Sequence, residues 1–156
     1  MSSYFLDTSA LIKRYVSEQG HVWVSSVCLP QAGNSIIIAE VTLTEAVTTL
    51  SRMTREKPPR LTAARCDRLI TLFRQHVQGS YVIVQVDRMM FTYAADLARK
   101  HPLRAYDAVQ LACALTYRDD TITSGQPAPT FVCADNMLLT VAAQEGLAVD
   151  NPNLHL

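Results

Sequence analysis

Short apolar, β-branched runs alternate along the chain with longer stretches whose apolar positions recur every three or four residues. The first pattern predicts strands and the second predicts helices. Residues 3–6 form a strand-like run that ends in Asp7-Thr8-Ser9, and residues 10–16 have helical character. Ser17 is a candidate cap for a second short helix through Val24 and Cys28. Pro30 and Gly33 break the chain before a β-branched run at residues 35–38. Residues 43–55 read as a helix stopped by Pro58 and Pro59. Thr62 is placed to cap a helix reaching about Val77 and ending at Gly79.

Residues 81–86 are strongly strand-like, and Asp87 stands where a helix N-cap belongs, with the helix reaching Lys100. After Pro102, residues 104–117 are rich in Ala and Leu and predict a buried helix. Residues 119–129 are polar and predict a mobile loop. A strand at 131–134, a helix at 137–145, a C-cap at Gly146 and an extended piece at 147–149 complete the chain. Strands alternating with helices predict an α/β fold with a parallel sheet covered on both faces, whose site lies beyond the carboxyl ends of the strands.

That expectation makes four carboxylates conspicuous. Asp7 and Asp135 each end a strand on the same rim. Glu45 sits in the first turns of the helix after the second strand. Asp107 has Leu111 and Ala114 at its i+4 and i+7 positions and so shares the buried-looking face. Each has an ordinary reading: Asp7 and Asp135 as N-caps, Glu45 and Asp107 as favourable charges near a helix start. Meeting at one rim, they repel one another unless a cation is bound. All-oxygen ligation favours Mg²⁺ or Mn²⁺ over zinc, and such an ion suits phosphoryl chemistry. Ser9 could add a hydroxyl to the ion's water shell or to a phosphate, or simply start a helix.

Here the sequence resembles the PIN-domain family, particularly VapC-type toxins of toxin–antitoxin pairs. The resemblance rests on four motifs in the family's order: Tyr4-Phe5-Leu6-Asp7-Thr8-Ser9-Ala10-Leu11, Thr42-Leu43-Thr44-Glu45, residues 103–112 around Asp107, and Phe131-Val132-Cys133-Ala134-Asp135. It implies a three-layer α/β/α fold with a central parallel sheet and a single domain over residues 1–156. It implies a Mg²⁺- or Mn²⁺-dependent endoribonuclease whose acids are Asp7, Glu45, Asp107 and Asp135. It also implies an RNA substrate, a homodimer and a small antitoxin whose C-terminal segment occupies the active-site groove. Cys133 stands where the family often carries Thr or Ser, and Asn136 where some relatives carry a further acid.

Composition narrows the alternatives. The chain has 156 residues, enough to bury roughly 68–70% of its unfolded surface. Fourteen basic and 14 acidic residues cancel, so bulk charge does not drive nucleic-acid binding. Residues 52–74 are nonetheless net +5, with seven cations against Glu56 and Asp67. That segment could track a phosphate backbone, meet an acidic antitoxin tail, or be a solvated hairpin. Arg104, one turn before Asp107, is a candidate phosphate contact or a salt-bridge partner for the rim. No apolar run reaches the length of a membrane span, no signal peptide is evident, and a cytoplasmic protein is expected. The four cysteines lack C-x-x-C spacing, and no G-x-G-x-x-G or P-loop is present. Another phosphoryl hydrolase or DNA nuclease on the same scaffold, or a catalytically silent binding module, are the competing readings.

Overall fold

The structure, a computed structural model, describes residues 1–155. Its order is β1 (Ser3–Leu6), α1 (Thr8–Leu11), α2 (His21–Val27), β2 (Ser35–Ala39), α3 (Thr42–Met53), α4 (Ala63–Gly79), β3 (Tyr81–Val84), α5 (Arg88–Lys100), α6 (Ala105–Thr123), β4 (Thr130–Val132), α7 (Asn136–Gln144) and β5 (Ala148–Asp150). The strands pair in the order β3-β2-β1-β4-β5, all parallel.

Period-2 alternation divides the apolar residues between two cores. Phe5, Ile37, Phe131 and Cys133 point to the face covered by α5, α6 and α7. Leu6, Ile36, Ile38 and Val132 point to the face covered by α1 to α4. The result is the expected three-layer α/β/α fold with a central parallel sheet. The chain winds outward from β1 to β3 on one side, then returns to lay β4 against the other side of β1. That reversal opens a crevice beyond the carboxyl ends of β1 and β4, where ligands bind in sheets of this kind.

Several local expectations change. The segment after β1 is one α-helical turn continued as a 3₁₀ turn at Ile12–Arg14, not one helix through residue 16. Ser17 does not cap α2; Gly20, in a left-handed conformation at φ 85°, precedes it. The strand at 81 stops at Val84. The polar stretch from Asp119 is not a loop at its start, because α6 runs on to Thr123. The buried half of α6 carries the helix beyond its apolar segment, and Arg118 Nη1 donates to the Glu145 carbonyl at 2.6 Å.

Candidate active site

Asp7 extends the central ladder by one bond, its N–H donating to the Val132 carbonyl at 3.1 Å. Its carboxylate is almost wholly buried, at 6% exposure. Oδ1 accepts the Ala10 N–H at 2.9 Å, so the residue does cap α1. Ser9 Oγ lies 2.8 and 3.0 Å from the two carboxylate oxygens and donates to them. Cys133 Sγ–H donates to Oδ2 at 3.2 Å. Burial outweighs these donors and pushes the Asp7 pKa up to about 6. Burial, together with the Asp7 charge, also pushes the Cys133 thiol well up, which keeps it a donor.

The same residues stitch β1 to the turn after β4. Ser9 Oγ accepts the Ala134 N–H at 2.9 Å, and Cys133 Sγ accepts the Asp135 N–H at 3.2 Å. Asp135 caps α7, with Oδ1 accepting from Met137 N–H at 2.8 Å and Leu138 N–H at 3.2 Å. Capping leaves its other oxygen without a protein partner among the described residues.

Glu45 is held from the opposite side. Its Oε1 accepts from Thr8 Oγ1 at 2.9 Å and from Gln110 Nε2 at 2.8 Å. Gln110, buried to 2% exposure, also donates to Thr42 Oγ1 at 2.9 Å. Its own Oε1 is buried without a partner. The reversed amide would set that carbonyl against the Glu45 carboxylate, so the donor end faces the acid. Glu45 Oε2 accepts nothing among the described residues.

Asp107 is half-buried in the first turn of α6. Burial raises its pKa first, then the charges of Asp135 and Glu45, while Arg104 opposes them. Arg104, the residue before α6, lines a small cavity of about 50 Å³ together with Asp107, Asp135 and Met137. A larger groove of about 400 Å³ lies between α5 and α6, among Phe91, Ala94 and Tyr106. It is apolar and holds no acid, so chemistry rather than volume selects the rim as the candidate site.

The four sequence-predicted acids therefore stand around one crevice. None forms an ion pair with Lys, Arg or His among the described residues. No three His, Cys, Asp or Glu side chains among the described residues close into a ready cage for a metal. A hydrated Mg²⁺ does not require one, since it keeps several waters and binds through one or two carboxylates and the substrate's phosphates. An all-oxygen rim with no ion-paired acid, and with free carboxylate oxygens on Glu45, Asp107 and Asp135, fits such an ion. The sequence left Ser9 either at a metal or phosphate or at a helix start; here it lies in the first turn of α1 and its hydroxyl fixes Asp7. Sequence reasoning passed over Thr8, Thr42 and Gln110 as functional groups. A glutamine inside the apolar run 108–115, three residues after Asp107, was the available signal.

A family model described as PIN domain matches residues 4–126. The chain belongs to the PIN-domain family. The match stops before Asp135, which the pairing of β4 with β1 brings beside the end of β1. No curated protein matches the chain. Among solved structures, a FitAB complex bound to an IR36 DNA fragment superposes with a TM-score of 0.66 at 17% identity, over 98% of this chain and 96% of that one. VapBC2 from Rickettsia felis, bound to a DNA fragment from its promoter, gives 0.62 at 13% identity, over 96% and 98%. FitAcB from Neisseria gonorrhoeae gives 0.61 at 15% identity, over 98% and 99%. At these identities the likeness is one of fold. No helix among the described residues is long and apolar enough to cross a membrane.

Proposed function

We propose that residues 1–156 form a single PIN domain acting as a Mg²⁺- or Mn²⁺-dependent endoribonuclease, the toxin of a toxin–antitoxin pair. The observation that carries this reading is the rim itself: four carboxylates from four separate elements share one crevice with no cationic side chain paired to them. Asp7, Glu45, Asp107 and Asp135 would hold the ion. When bound, it supplies charge neutralisation at a phosphodiester and a Lewis acid for water.

The chain's own residues do the positioning. Ser9 and Cys133 lock Asp7 in place and tie it to the turn bearing Asp135. Gln110 and Thr8 hold one oxygen of Glu45 and leave the other without a protein partner among the described residues. Arg104 stands beside Asp107, placed to meet a phosphate oxygen of the substrate. FitAB and VapBC2 are two-component complexes, which supports a cognate antitoxin as partner for this chain. A homodimer and a cytoplasmic location follow from the same reading.

The test is cleavage of structured RNA by purified protein in Mg²⁺, Mn²⁺ or EDTA, with single-stranded DNA as a parallel substrate. RNA cleavage that needs the ion and disappears in Asp7→Asn is expected. Cleavage of DNA alone, or RNA cleavage untouched by Asp7→Asn, would overturn the reading.

A further inference from the structure

Half of the chain's 14 basic residues fall within residues 52–74. Arg52, Arg55, Lys57, Arg65 and Arg68 are all exposed, and none is in an ion pair or a side-chain hydrogen bond among the described residues. Arg60 differs, because Glu18 at 2.9 Å and Glu56 at 3.9 Å hold it as part of the packing. Arg52 gains from the carbonyl end of α3, but Arg65 sits in the first turn of α4, which has no acid, against the helix dipole. Local stability does not explain that placement.

The position of the site relative to these cations does. Arg52 follows Glu45 by seven residues on α3, two full turns, so both project from the same side of the helix about 10 Å apart. Arg55 and Lys57 continue past the end of α3, and Arg65 and Arg68 open α4. No large apolar residue is exposed between positions 52 and 68. A protein partner would be expected to find aromatic or aliphatic anchors there, whereas a phosphate backbone asks only for cations. Four of the five are arginines, whose planar fork matches phosphate oxygens.

We infer that a single RNA strand leaves the acidic rim along the outer side of α3, its flanking phosphates contacted first by Arg52 and Arg55 and then by the α4 cations. The inference rests on the ribonuclease reading of the rim. It accounts for a strongly basic segment in a neutral protein: charge is concentrated along one exit path instead of being spread over the surface.

The experiment measures binding of a labelled single-stranded RNA oligonucleotide to the full chain in EDTA, across a salt series. Arg52→Gln/Arg55→Gln is compared with Arg88→Gln/Arg99→Gln, a charge-matched pair of exposed residues on α5. Loss of two phosphate contacts lowers the slope of log affinity against log salt by about 1.4 and affinity at moderate salt by roughly tenfold. The α5 pair changes affinity less than about threefold. Thermal melting confirms that both variants fold. Equal losses from the two pairs, or an unchanged slope in the Arg52/Arg55 pair, would overturn the track. So would unchanged RNA affinity combined with lost binding of a polyglutamate probe. Because binding is read without turnover, the two proposals fail separately. A salt-slope change without RNA cleavage leaves the track and removes the nuclease; cleavage with an unchanged slope does the reverse.

Discussion

Asp7 carries a stability cost that the proposed chemistry explains. Its folded pKa of about 6 lies above the ordinary 3.8, so the folded state binds the extra proton between those values. That contribution is fully present below pH 3.8 and is lost as pH rises through 6, by up to about 3 kcal/mol. Metal-free wild type is therefore expected to be weaker at pH 8 than at pH 5 in denaturant titrations, and Asp7→Asn to remove most of that difference. Gln110→Met keeps the bulk but removes the donor shared by Glu45 and Thr42. It is expected to lower divalent-ion affinity by roughly 10–100-fold, read by calorimetry, with the fold retained. The placement of Asp7, Glu45, Asp107 and Asp135 at strand ends and helix starts was legible in the sequence because such ends are local features. Gln110 and Thr8 were not, because their partners come from residues 65 and 37 positions away and only the folded sheet joins them.

At the scale of elements, the strands and most helices were legible for the same reason: β-branched runs, amphipathic spacing and Asp or Thr caps are written within a few residues. Thr62, Asp87 and Asp135 all cap the helices they precede. The misses were long-range. Polar residues 119–123 stay helical because they continue a well-buried helix, which no local pattern reports. The start of α2 depends on Gly20, whose φ is positive and whose missing Cβ would lie 2.5 Å from the Pro152 carbonyl oxygen. Gly20→Ala combines backbone strain with a clash against the C-terminal segment. It is expected to cost roughly 1–3 kcal/mol or more, measured as a lowered denaturation midpoint with an unchanged slope.

For the whole molecule, the strand order matters more than any single element. β1 is central, and the chain's return to it at β4 is what brings residues 7 and 133–135 together. A ligand held there bridges halves of the chain that are remote in sequence, so it stabilises the folded state by mass action. Mg²⁺ or Mn²⁺ at a hundred times its dissociation constant is expected to add about 2.7 kcal/mol to wild type. Asp7→Asn should show little of this gain in thermal melts. The bridging thiol gives the molecule a further property. All four cysteines are buried, and Cys133 has no exposed surface. A maleimide or disulfide reagent can reach Cys133 only when the β4–α7 junction swings away from β1. Its labelling rate is therefore a clock for the breathing of the crevice, and anything that grips the rim should slow that clock.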